Sequence, residues 1–287
     1  MNEFLLFDPL FRVPFFTGLC LAVALSLIGA FLRMRNEWLA ALGLSQIAAA
    51  GGMASVPLGI PVLAGAFGAA CLATLIRSAL PRVGNSHHAL LILIGWSGTL
   101  VIGSYADHGH VIGETLLRGQ LYFTHIWHLA GSAVLLFLVL GLYKWLSPRL
   151  LKDRFFPDYH MANRIPSWPH SVLYALIVMA AAVLGTISMG AFPAFALLFV
   201  PSWIGFVMVD GWFRSVVASV FIGCAVYVAA FILAMLADLP FGPALTGLLA
   251  FAASLRLLTA LRRRNIEVSG DESRFHYLSP PARNAKK

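Results

Sequence analysis

Nine apolar runs, separated by short polar breaks, occupy most of the 287 residues and leave this chain few ways to fold. They cover approximately residues 13–32, 38–56, 60–76, 89–105, 128–146, 171–189, 192–209, 216–236 and 243–261. A helix of about 20 apolar residues crosses the hydrocarbon core of a bilayer, and this chain has room for eight or nine such spans. Sixty per cent of the residues are hydrophobic, 11% are charged, and the mean hydropathy is +0.83. A soluble domain needs roughly twice that charge density to cover its surface. The expected fold is therefore all-α, a polytopic membrane helical bundle of about 8–9 transmembrane helices over residues 1–264.

The charges sit between the runs and set an orientation. The net charge is +8, but the cations form short clusters with no basic domain or aromatic-interleaved patch, which argues against a nucleic-acid partner. Arg33 and Arg35, Arg77 and Arg82, the 144–164 cluster, Arg214 and Arg262–Arg264 all fall at alternate ends of the runs. The opposite breaks carry Pro57, residues 107–110, Gly190 and Asp238, with only Arg12 and Arg118 as cations. By the positive-inside rule the N-terminus is outside and the C-terminus cytoplasmic, as in a multi-pass protein of the bacterial inner membrane. This parity requires residues 111–126, with Glu114, Arg118 and Gln120, to be re-entrant or interfacial, because those side chains are costly in lipid.

The N-terminus lacks a basic stretch and a small-residue cleavage site, so the first run reads as a retained span. Residues 265–287 have no apolar periodicity and read as a disordered cytoplasmic tail. Cys20, Cys71 and Cys224 each lie inside an apolar run, without CxxC or CxxH spacing, and read as packing residues. Small residues recur within runs, notably Ala48–Gly52, Gly65 and Gly68, where they let helix backbones approach.

Four local patterns resemble one family, the permeases of bacterial zinc, manganese and iron ABC importers, sometimes called ABC-3. They are Gly29-Ala30-Phe31 with Arg33 and Arg35; Gly119-Gln120-Leu121 with Leu129; Gly190-Ala191 with Pro201; and Asp238-Leu239-Pro240-Phe241-Gly242-Pro243. They occur in the family's order over about residues 13–262. The resemblance implies a type-II importer fold and a transporter permease subunit that is not itself an enzyme. It implies a second permease copy forming a homodimer, an ABC ATPase subunit that binds the ATP, and a periplasmic or lipid-anchored solute-binding protein. It also implies that the segment 156–163, with Asp158 and Ala162, forms the coupling helix on the ATPase; an ordinary amphipathic inner loop is the alternative.

One departure bears on cargo. Metal-importing members carry an Asp and, four residues on, a His in the second span. The matching positions here are Leu42 and Gln46. Leucine cannot bind a metal, and an amide oxygen is a weak ligand for zinc or manganese but a good partner for an organic solute. Gln46 could equally make an interhelical amide hydrogen bond. Other candidate metal residues are Asp107, His108 and His110 at an outer mouth, and His125 with His128, three residues apart. Their plainer readings are a solvated loop and an interfacial position beside Tyr122 and Trp127. His87 and His88 read as capping or anchoring the fourth span. Asp238 either lines the pathway or braces the turn set by Pro240 and Gly242.

The chain is thus expected to bind no cofactor of its own and to pass zinc, manganese, a chelate or a small organic solute. An ion-coupled secondary carrier would need mid-membrane carboxylates, of which the runs are almost empty. An intramembrane enzyme is disfavoured too, since His-Glu-x-x-His, Gly-x-Ser-x-Gly and Walker A patterns do not occur.

Overall fold

The computed structural model describes residues 9–79, 85–105, 109–119, 121–156, 159, 163 and 168–258. Among the described residues, nine long helices lie where the apolar runs are. They are α1 (Pro9–Arg35), α2 (Trp38–Ser55), α3 (Val62–Ala79), α4 (Asn85–Tyr105), α6 (Ile126–Phe155), α7 (Trp168–Met189), α8 (Ala191–Met208), α9 (Trp212–Leu236) and α10 (Phe241–Leu258). Between α4 and α6 stands a ten-residue helix, α5 (Gly109–Arg118), followed by a 3-10 turn, Leu121–Phe123. No strand occurs among the described residues. Seven of the long helices have the length and apolar content to cross a membrane. The exceptions are α2, whose apolar content is diluted by glycine, serine and Gln46, and α3, whose apolar stretch is shorter.

The segment at 111–126 divides in two. Helix α5 would extend only about 15 Å at 1.5 Å per residue, half a bilayer core. It ends at Gly119, whose φ of +86° turns the chain. His125 then caps α6 and is not part of it. The sixth helix runs 30 residues through Pro148, well past the expected end at residue 146. Proline is tolerated within membrane helices where neighbouring groups satisfy the freed carbonyl.

The chain divides into two compact units, Met1–Leu249 and Ala250–Lys287. In the first, α2 is packed by α3, α4, α7 and α8, while α1 packs on α6, α8 and α9. These contacts rest on missing side chains. A Cβ on Gly51 would meet the backbone of Gly65 at 2.5 Å, and one on Gly185 would meet Ala194 at 2.8 Å. Gly68, by contrast, faces open space and serves no close approach.

Large side chains face outward instead. Phe137, Phe221 and Leu236 are each more than 70% exposed, and α4 presents Leu90, Leu93, Ile94 and Val101. A surface so apolar suits lipid and would aggregate in water. Hydroxyls inside the helices return to their own backbone: Thr17 donates to the Val13 carbonyl, Thr99 to Gly95 and Ser132 to His128, at 2.7–2.8 Å. The residues 265–287, expected to be a tail, lie outside the described part of the second unit.

Candidate functional site

Leu42 and Gln46 lie one turn apart on α2, so both project from one side of that helix. Leu42 is half-buried, whereas Gln46 is 1% exposed. Neither its amide nitrogen nor its amide oxygen has a hydrogen-bond partner among the described residues, so the interhelical amide bond is not formed. A buried polar group left unpaired costs about 1–3 kcal/mol. The hydroxyls of Ser45 on α2 and Ser188 on α7 are similarly buried and unpaired. Gly95 of α4 closes over this position: a Cβ there would lie 2.5 Å from the Gln46 carbonyl carbon and 2.7 Å from its Cβ. A buried amide with free donors and an acceptor can hydrogen-bond a polar molecule that reaches it, and has little to offer a bare dication.

Asp238 is exposed and stands at the end of α9 with φ +51°. The Leu239 amide donates to the Ala234 carbonyl at 3.0 Å, and the Ala237 amide to Leu233 at 2.9 Å. This is a left-handed helix stop, and aspartate is among the few non-glycine residues that tolerate that conformation. Its charge also reaches Tyr122, whose phenol is pushed up first by burial and then by this carboxylate. Tyr122 belongs to an aromatic cluster with Phe11, Phe231 and Phe241, at ring separations of 5.8–6.5 Å.

His125 and His128 hold the start of α6. The His125 amide donates to Nδ1 of His128 at 3.1 Å, while the His125 ring accepts from the backbone of His128. The two rings lie 6.3 Å apart. They form a reciprocal cap, and no group of three His, Cys, Asp or Glu side chains able to hold a metal occurs among the described residues. Asp107 and His108 lie outside those residues, as do Asp158 and Ala162; His110 is in α5, but its side chain is not among those described. His87 is exposed and His88 is buried near the start of α4.

The four sequence patterns converge, which their spacing did not reveal. Gly119 abuts the turn between α7 and α8, where a Cβ would lie 2.8 Å from the Gly190 nitrogen and closer still to Met189. Tyr122 meets Phe241 of the fourth pattern. Gly29 packs on the Leu198 backbone and on Ser202, beside Pro201. Ser202 donates to the Ser26 carbonyl at 3.1 Å. These patterns join helices, and among their described residues no ligand-type cluster occurs.

Sequence reasoning also passed over a charged cluster at the end of the bundle where α1 stops. Glu37 accepts from Arg77 at 2.9 Å and from the Tyr174 hydroxyl at 3.2 Å, with Arg35 at 3.5 Å. The Arg35 guanidinium lies 4.8 Å over the Tyr174 ring. One carboxylate thus ties the α1–α2 turn to α3 and α7. Nearby in sequence to the expected coupling segment, His170 at the start of α7 meets Asp153 near the end of α6 at 2.8 Å. Trp212 donates to Ser147 at 2.7 Å, joining α9 to α6. Glu37 carried a signal, being the only acidic residue between positions 9 and 106.

No family model and no curated protein matches the sequence. The fold does match solved structures. It is similar to PsaBC from Streptococcus pneumoniae, solved in complex with Fab, with a TM-score of 0.75 and 16% identity over 88% of this chain and 92% of that one. It is also similar to a transporter assigned to the metal-chelate ABC type, in an inward-facing conformation, with a TM-score of 0.68 and 15% identity. That match covers 88% of this chain and 85% of the other. The all-helical membrane-bundle architecture expected from the sequence is therefore the observed one.

Proposed function

We propose that this chain is the membrane-spanning permease subunit of an ATP-driven importer whose cargo is a divalent metal ion, such as zinc or manganese, or its chelate. The fold similarity over nearly the whole length of both compared chains carries this reading. ATP hydrolysis belongs to a separate ATPase, seated against the segment 156–163 with Asp158 and Ala162. The short contact between Asp153 and His170 brackets that segment at its base. A second copy completes the pathway, and a solute-binding protein delivers cargo from outside.

Gln46 favours the chelate, or another small organic solute, over the bare ion. It is buried in the bundle with its whole hydrogen-bonding capacity unspent, and the matching one-turn neighbour is Leu42. Cells with and without the chain are loaded with radioactive zinc or manganese, each free or chelated, with active or inactivated ATPase. ATPase-dependent accumulation that needs this chain supports the permease. Uptake indifferent to both the chain and the ATPase overturns it.

A further inference from the structure

A groove of about 510 Å³ runs along the outside of α1, α6 and α9. Its floor is Val23 and Leu27 of α1 with Val216, Val220 and Cys224 of α9; Phe213, Val217 and Phe221 form a rim at four-residue intervals. Leu140, Tyr143 and Lys144 of α6 make the facing wall, and Lys144 is the charged residue lining it among the described residues. Phe221 is 73% exposed while Val216 is 4% exposed, so the groove opens outward from a closed floor.

Position along the membrane normal is fixed by α6. Lys144 stands about 27 Å along the helix from Ile126, close to the roughly 30 Å depth of a hydrocarbon core. Trp127, 80% exposed at the other end, marks the opposite interface. Lys144 therefore lies at headgroup level, exposed and without an ion pair among the described residues. Around it the same end of the bundle carries Arg149, and Arg214 follows the rim residue Phe213.

Charge separates the occupants. Between Phe213 and Cys224 the groove is roughly 16 Å long. Its walls are apolar, and its cation, Lys144, stands at the Phe213 end, where Trp212 is tied to Ser147 of α6. That arrangement suits one extended hydrocarbon chain below an anionic headgroup, whereas an apolar helix of a second copy would leave the ammonium without a partner.

We propose that this groove is a binding site for an anionic phospholipid, one acyl chain lying against Val216 and Val220 and the phosphate on the Lys144 ammonium. The site rests on the membrane part of the functional reading and on nothing about cargo. The apolar walls supply affinity for any chain, and the lysine supplies the preference for negative headgroups.

The whole chain, purified in mild detergent, is titrated with dioleoyl phosphatidylglycerol or dioleoyl phosphatidylcholine, and bound lipid is counted by intact-protein mass spectrometry. Phosphatidylglycerol is retained about fivefold better, the worth of one lysine at a membrane surface. Lys144→Gln brings the two lipids level, and Val220→Trp fills the groove and removes both. Equal retention by the unaltered chain, or a preference that survives Lys144→Gln, refutes the site. A second readout covers a misfolded Val220→Trp variant. With Cys20 and Cys71 replaced by serine, phosphatidylglycerol slows maleimide labelling of Cys224 and phosphatidylcholine does so less; equal rates count against the site. A change of oligomeric state on groove filling, with lipid retention unaltered, assigns the groove to a second copy and overturns the proposal. A chain that drives ATPase-dependent uptake yet shows no lipid preference loses the lipid site alone. Lipid preference without ATPase-dependent uptake leaves the site standing and removes the permease.

Discussion

Replacing Gly119 by alanine tests the junction on which three of the sequence patterns meet. The residue has φ +86°, and a Cβ there would press on the backbone of Met189 and lie 2.8 Å from the nitrogen of Gly190. Two costs add. An L-residue in the left-handed region is strained by about 1–2 kcal/mol. Overpacking adds about 1–3 kcal/mol, at the upper end here because the obstructing atoms are backbone and cannot rotate away. Gly211 separates the two costs, since its φ is +94° and nothing lies within 4 Å of its added Cβ. Gly119→Ala should therefore lose about 2–5 kcal/mol and Gly211→Ala about 1–2 kcal/mol. At roughly 2–4 °C per kcal/mol for a chain of this size, the apparent melting temperature falls by roughly 4–20 °C and 2–8 °C respectively. Both are measured in one detergent at one scan rate, because unfolding of such proteins is commonly irreversible. Equal losses in the two variants would falsify the backbone docking of α5 onto the α7–α8 turn.

Gln46→Leu removes a buried amide that has no partner, so thermal stability should rise by about 1–3 kcal/mol while chelate uptake falls; a less stable variant would contradict its burial without partners. Glu37→Gln leaves Arg77 facing a neutral amide and should cost about 1–2 kcal/mol, moderated by the partial exposure of the pair. Arg77→Leu in the same background should cost little more, and additive losses would show that the two do not interact. Gly68→Ala faces open space within α3 and should stabilise by up to about 1 kcal/mol, whereas Gly95→Ala should destabilise; matching shifts in melting temperature would contradict the α2–α4 contact.

How far the sequence could be read is clearest at particular residues. The runs that became α1, α7, α8 and α9 were visible because length and hydropathy are properties of one segment. The interruption at residues 111–126 was visible as polar residues in an apolar context, although its division at Gly119, with the left-handed turn and the 3-10 turn after it, was not. His125 and His128 were singled out by spacing, but whether two imidazoles cap a helix or bind an ion depends on where the backbone goes. Glu37 was overlooked because its partners, Arg77 and Tyr174, are 40 and 137 residues away.

The sequence by itself determined the solvent and the architecture. Lipid requires each span to satisfy its own backbone, so apolar length alone dictates that the runs are helices. Tertiary structure decided which side of each helix faces inward. Spans apolar all round carry little periodic signal for that rotation, and glycines identical in sequence have opposite fates: Gly95 sits on Gln46, while Gly68 faces open space. Only packing placed the Gln46 amide inside the bundle with no partner and brought the four distant patterns into contact. Close packing is a relation between segments, and no one segment encodes it.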